Sequence, residues 1–276
     1  MMEPHKTSTH LKRWITGLTA LPLLIYFITL GGAVFAGLVA AASIFGLWEY
    51  FRIVLDDADQ AFFDPICLTG YIAAAVLIGY GAMCKPVHIP AIVALDFVVV
   101  AVYAVFRFSS DQTVVLRVAR QVQGIVYVPL LLSLLVLLRN RPDGMTWIFI
   151  LLAIIFAGDT SAYYVGSYLG RNKLAPAVSP GKTVEGALGG LAANLLVGTA
   201  AKLLFLPPGD WLLSCAGFVL FGAAGQAGDL FESALKRLSS IKDSSAILPG
   251  HGGILDRIDA LLLAAPVAYF WIEYVL

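Results

Sequence analysis

Residues 233–259 read S-A-L-K-R-L-S-S-I-K-D-S-S-A-I-L-P-G-H-G-G-I-L-D-R-I-D, from Ser233 to Asp259. Lys236, Arg237, Lys242, Asp243, His251, Asp256, Arg257 and Asp259 crowd into this stretch, in a chain where charged residues make up only 13%. Apolar runs of bilayer length lie on either side, near 211–236 and 256–276. Charge packed so densely against membrane-length apolar segments marks a functional site rather than an ordinary loop. The stretch offers cations for phosphates, carboxylates for a divalent metal, and glycines that let backbone approach a ligand closely.

Composition extends that reading to the whole chain. Apolar residues make up 59%, against roughly 45–50% in soluble domains. A helix of about 20 apolar residues crosses a bilayer. Nine stretches suit, near 14–30, 33–54, 65–84, 87–106, 121–138, 145–168, 184–206, 211–236 and 256–276. The 26 glycines favour close helix packing in lipid, and the period-2 alternation of a membrane barrel is missing. The expected fold is all-α, a polytopic integral membrane protein of about nine transmembrane helices. No linker or repeat divides the chain, so residues 1–276 are expected to form a single integral domain. Its N-terminal helices would occupy 1–140, and its C-terminal helices, carrying the site, 141–276. The first span is longer than a signal-peptide core and no small-x-small site follows it, so it reads as retained. Cys67, Cys84 and Cys215 lack ligand spacing and read as packing residues.

The basic residues set an orientation. With the N-terminus in the cytoplasm and the spans alternating, 14 of the 18 Lys and Arg fall inside, whereas Lys85, Arg139 and Arg141 fall outside and Lys202 lies near an outer end. The positive-inside rule favours this arrangement. It puts the 233–259 stretch and the 171–185 loop in the compartment that holds nucleoside triphosphates. The expected location is the inner (cytoplasmic) membrane of the cell, with the active site facing the cytoplasm.

Several residues could carry chemistry. On a helix over 222–237, Asp229, Glu232, Ser233, Lys236 and Arg237 share one sector, opposite Leu230, Ala234, Leu235 and Leu238. A Glu232–Lys236 pair ending a membrane helix would explain the last turn but not Asp229. Asp256 and Asp259 open the last helix, where capping competes with metal binding as their role. Asp159 sits in an apolar span and must face a partner such as Lys182 or Lys236. Asp96 poses the same question, with structural hydrogen bonding and function equally open. Ser179-Pro180-Gly181-Lys182-Thr183 reads as a phosphate loop running into a helix N-terminus, with Glu185 as a cap; it is not a Walker A loop. Gly186, Gly189 and Gly190 read as packing glycines. His251, in the glycine turn, reads as a phosphate donor or hinge. The acidic loop Asp56, Asp57, Asp59 and Asp64 reads as solvated.

The 233–259 stretch resembles the signature of the phosphatidate cytidylyltransferases, also called CDP-diacylglycerol synthases. The resemblance rests on Ser233, Lys236-Arg237, Lys242-Asp243, Ser245, Leu248-Pro249-x-His251-Gly252-Gly253 and Asp256-Arg257-x-Asp259. Upstream, Asp159-Thr160-x-Ala162-Tyr163, Gly166, Gly170-Arg171 and Ser179-Pro180-x-Lys182-Thr183-x-Glu185-Gly186 also look like segments of that family. The resemblance implies cytidylyl transfer from CTP to phosphatidate within the lipid bilayer. It implies Mg²⁺ held by Asp229 and Asp256, alone or with a second cation such as K⁺. Catalytic roles would fall to Asp229, Lys236, Arg237, Asp256 and Asp259. Substrate binding would fall to Asp159, Ser179, Lys182, Thr183, Glu185, Ser233, Lys242, Asp243, His251 and Arg257. It also admits a homodimer and gives no part to nucleic acid. Two other readings stay open: another CTP-dependent lipid enzyme, such as a polyprenol kinase, and an ion-coupled transporter.

Overall fold

A computed structural model describes residues 19–55, 62–239, 241, 243–245, 247 and 252–276. Lys242, His251, the Leu248-Pro249 step and the acidic run Asp56, Asp57 and Asp59 lie outside the described residues. Ten helices follow one another: α1 (Thr19–Leu30), α2 (Gly32–Val54), α3 (Pro65–Ala82), α4 (Ile89–Arg107), α5 (Val114–Ile125), α6 (Leu131–Arg139), α7 (Gly144–Leu169), α8 (Val184–Phe205), α9 (Trp211–Leu238) and α10 (Leu255–Tyr274). Between α7 and α8 stands a hairpin of two short strands, β1 (Lys173–Ala175) and β2 (Ser179–Thr183). The protein is an all-α polytopic membrane protein. Among the described residues seven helices are long and apolar enough to cross a bilayer, the α5–α6 pair counting as one span, Val114–Arg139. Thr19–Leu30 is shorter, and α10 carries Asp256, Arg257, Asp259 and Glu273.

Local chemistry explains the breaks. Gly31 and Gly32 both adopt positive φ (63° and 50°) and divide α1 from α2, a conformation that costs glycine little. Pro129 cannot donate a backbone hydrogen bond, and the helix relaxes there into one π turn over Val126–Leu130 before α6 resumes.

The chain divides into two compact units, Met1–Val136 with Leu238–Arg257, and Leu137–Arg237 with Ile258–Leu276. In the first, α2 packs through Leu47, Tyr50 and Phe51, all fully buried. A Cβ on Gly124 would press on Tyr50 at 2.7 Å, so only glycine admits that ring between α2 and α5. Asp96 of α4 accepts a hydrogen bond from Gln121 Nε2 at 3.0 Å, and the same amide reaches Thr69 of α3 at 3.3 Å. Asp96 therefore takes part in a tie between three helices. Asp64 corrects an expectation. It caps α3 by accepting from the Ile66 and Cys67 amides and forms an ion pair with Arg117 of α5, rather than standing solvated in a loop. The cysteines are unpaired thiols: Cys67 is buried as expected, but Cys84 is exposed.

The second unit is held by a seam of small residues. Asn194 of α8, 1% exposed, lies between Gly158 of α7 and Gly222 of α9, and a Cβ at either glycine would overlap its amide. A Cβ on Gly190 would meet Gln226 Nε2 at 2.7 Å, while Gln226 donates to the Ala187 carbonyl at 3.0 Å. The packing role expected of Gly186, Gly189 and Gly190 is thus met, since each backs directly onto α7 or α9. Interhelical hydrogen bonds in membranes average only about 0.6 kcal/mol, so close backbone approach carries more of this seam than its polar contacts do.

Candidate functional site

In the second unit the charged residues converge from four elements. Lys182 on β2 forms an ion pair with Asp229 on α9, Nζ to Oδ2 2.6 Å, both side chains about a third exposed. Ser233, one turn along α9, donates a long hydrogen bond of 3.4 Å to the other oxygen of Asp229. Asp159 on α7 lies in electrostatic reach of Asp229 and Lys182. Asp259 on α10 lies in reach of Asp229, Asp159 and Lys236. Of the two partners anticipated for Asp159, Lys182 lies in its electrostatic reach, while the ion pair that Lys182 forms is with Asp229. Lys236 pairs with Glu232 at 2.5 Å, and Glu232 is fully buried. The plain i,i+4 pair is real and stands beside the Asp229 grouping rather than replacing it.

What brings α9 and α10 together is Gly228. A Cβ there would collide with the main-chain oxygen of Asp259, so the helices touch backbone to backbone at the residue before Asp229. Glycine at this point lets two carboxylates share one small volume.

The hairpin revises the expected phosphate loop. Lys173 pairs with Thr183 and Ala175 with Ser179, antiparallel. Thr183, not Glu185, is the N-cap of α8, accepting from the Gly186 amide at 3.1 Å. Glu185 turns back to accept from the amides of Arg171 (3.0 Å) and Asn172 (3.2 Å) and from the Asn172 side chain (2.7 Å). These contacts close the hairpin. Arg237 donates through Nε to the Val178 carbonyl at 3.0 Å, tying α9 to the hairpin turn. The consequence is that Lys182 is presented by a braced strand rather than by a loose loop.

The first unit holds the remaining candidates. Asp256 Oδ2 accepts from the Ser244 amide (3.0 Å), the Ser244 hydroxyl (3.0 Å) and the Gly253 amide (2.8 Å). Gly252 has φ +81°, and a Cβ on it would press on the Asp256 carboxylate at 2.6 Å. Asp243 and Arg257 are exposed. The glycine pair of the motif thus exists to wrap the backbone around Asp256.

One residue of this unit escaped the sequence reading. Glu49, in the C-terminal part of apolar α2, is fully buried. Its Oε1 accepts from the Ser245 hydroxyl (2.5 Å) and the Ile254 amide (3.0 Å). Its Oε2 accepts from the Ser244 hydroxyl (3.0 Å) and the Leu255 amide (2.6 Å). One turn further along α2, the Ile53 carbonyl accepts from the Ser239 hydroxyl. Burying a carboxylate costs several kcal/mol. Hydrogen bonds to a charged group return about 1.5–3 kcal/mol each, so the Ser245 hydroxyl and the Ile254 and Leu255 amides, together with a Ser244 proton that Glu49 and Asp256 share, offset that cost. The signal available in sequence was the same one that singled out Asp159 and Asp96, a lone acid inside an apolar span.

Among the described residues no group of three or more His, Cys, Asp or Glu side chains is disposed to hold a metal ion. Asp159, Asp229 and Asp259 nonetheless present hard oxygen donors within one another's fields, with Lys182 and Lys236 beside them. That chemistry suits Mg²⁺, which needs only one or two protein carboxylates when phosphates and water complete its shell. Asp229 and Asp256, the two carboxylates that the family resemblance would give to it, belong one to each unit.

Residues 11–275 match the sequence profile of the cytidylyltransferase family. The chain belongs to the cytidylyltransferase family. It is similar to a phosphatidate cytidylyltransferase of Staphylococcus haemolyticus (strain JCSC1435), 31% identical over 267 residues, covering 92% of this chain and 96% of that protein. A Bacillus subtilis (strain 168) phosphatidate cytidylyltransferase is 42% identical over 146 residues, 52% of this chain and 54% of that protein. One of Brucella abortus biovar 1 (strain 9-941) is 44% identical over 140 residues, 51% of this chain and 52% of that protein. In the last two comparisons the chain spans about half the length of its relative.

Proposed function

We propose that this chain transfers the cytidylyl group of CTP to phosphatidate, giving CDP-diacylglycerol and pyrophosphate. The observation that carries the reading is the Lys182–Asp229 pair, with Asp159, Asp259 and Lys236 around it, on the segments that resemble the family signature. A phosphate monoester carries about −1.5 to −2 charges at pH 7. Its oxygen attacks the α-phosphorus of CTP without a general base. The new bond joins lipid oxygen to α-phosphorus, the bond to the α,β-bridging oxygen breaks, and its electron pair leaves with pyrophosphate. The chain contributes position and positive charge. Asp229 holds the Lys182 ammonium in place for the triphosphate, and Lys236, Lys242 and Arg257 add cations for the phosphates of both substrates. Mg²⁺ is the proposed cofactor, with Asp229 the carboxylate of the second unit that would hold it, and when bound it would neutralise developing charge on the departing pyrophosphate.

CTP labelled at the α-phosphorus separates this reading from its rivals. The label is expected in lipid, with phosphatidate consumed as pyrophosphate appears. With γ-labelled CTP, all label is expected in pyrophosphate. Label from the γ-position in lipid would identify a kinase, and no label from either would leave transport as the better reading.

We also propose that the N-terminus and the signature stretch face the cytoplasm in the inner membrane. In a background lacking Cys67, Cys84 and Cys215, single cysteines replacing Arg52 or Arg171 are expected to react with an impermeant reagent only from the cytoplasmic side. Cysteines replacing Lys85 or Arg139 are expected to react only from the other. The reverse pattern overturns the orientation.

A further inference from the structure

We propose that Glu49 is a positioning residue for cytidylyl transfer, tying Ser244 and Ser245 to Ile254 and Leu255 so that Asp256 is presented in a fixed orientation. The inference rests on the function proposed above. Three observations carry it. Glu49 joins two segments distant from it in sequence, its two oxygens shared between the Ser244 and Ser245 hydroxyls and the Ile254 and Leu255 amides. The Ser244 hydroxyl also lies 3.0 Å from Asp256 Oδ2, so Glu49 and Asp256 contact the same atom. Finally, a Cβ on Gly253 would overlap the Ser244 hydroxyl and press on both Glu49 oxygens, at 2.5 and 2.6 Å. The second glycine of the pair is thus shaped to a carboxylate on a helix just over two hundred residues upstream.

Four donors aimed at one acid define a site for an anion with two acceptor oxygens. An amide in its place offers one acceptor and turns an NH₂ group towards donors. Glu49→Gln keeps size and shape and therefore tests the carboxylate itself. Replacing a group that orients a ligand or catalytic residue typically costs about tenfold to a hundredfold in activity. For Glu49→Gln in the full-length chain we expect a loss of kcat in that range, with KM for CTP and for phosphatidate within threefold of the parent. Glu49→Asp, which keeps the charge, is expected to recover part of the rate. Ser245→Ala is expected to lower kcat by less, and the double variant Glu49→Gln, Ser245→Ala by less than the product of the two.

A second readout does not depend on catalysis. The Ile247 amide donates to the Ser245 hydroxyl at 3.2 Å, which links position 247 to Glu49. In the cysteine-free background, Ile247→Cys is expected to alkylate severalfold faster when Glu49→Gln is added. A parent that incorporates no α-label refutes the proposed function and leaves the alkylation rates to decide on Glu49 alone. Activity of Glu49→Gln within threefold of the parent, or lost activity with unchanged alkylation at position 247, overturns the positioning role. Should Glu49→Gln fail to accumulate in membranes, the Glu49→Asp and Ser245→Ala variants decide it by the same two measurements.

Discussion

Asp256→Asn should abolish most turnover while leaving the chain folded and membrane-inserted. The three hydrogen bonds described for Asp256 all end on one oxygen, Oδ2. The carbonyl oxygen of asparagine can accept from the Ser244 and Gly253 amides in its place, so the turn keeps its shape. What the substitution removes is the negative charge. If Asp256 serves the metal and the phosphates, we expect turnover to fall about a thousandfold, equivalent to about 4 kcal/mol of lost transition-state stabilisation. The check is incorporation of label from α-labelled CTP across a Mg²⁺ titration, with detergent melting of the purified variant alongside. Turnover within threefold of the parent at limiting Mg²⁺ removes Asp256 from the chemistry and leaves it a turn residue.

Gly228→Ala should be nearly as damaging by a different route. One methyl group at this position meets the Asp259 main-chain oxygen, and backbone cannot swing aside as a side chain can. Overpacking of this kind costs about 1–3 kcal/mol. Because the collision lies beside Asp229 and at Asp259, the forced separation also disperses the carboxylates. We expect a melting midpoint lowered by several degrees, with a loss of activity that persists below the new midpoint. Parental melting and parental rate in the Gly228→Ala variant would mean that α9 and α10 are not in contact at this point.

Much of this architecture is legible in the sequence, because in lipid the strongest constraints on a helix are local. Apolar length locates the helices, and the boundaries expected near 33–54, 65–84 and 184–206 fall within a few residues of α2, α3 and α8. The grouping of Asp229, Ser233 and Lys236 follows from helical spacing alone. What escaped depends on partners distant in the chain. Ser179–Thr183 looks like a loop because its strand pairing is secured by Glu185 reaching back to Arg171 and Asn172. Asp96 finds Gln121, 25 residues away. Glu49 lies 206 residues from Leu255, a distance that no spacing rule covers.

That separation has a consequence for how the protein is made. Ribosomes add about 5–20 residues per second, so about 10–40 s pass between synthesis of Glu49 and synthesis of Leu255, the last of its partners. Through that interval α2 carries an acid whose four donors do not yet exist. Until then, the groups that enclose its carboxylate in the finished protein are missing. The packing around Glu49 is therefore completed late, by Ser244, Ser245, Ile254 and Leu255. A nascent chain stopped short of residue 244 would lack both the turn and the means to settle its own second helix.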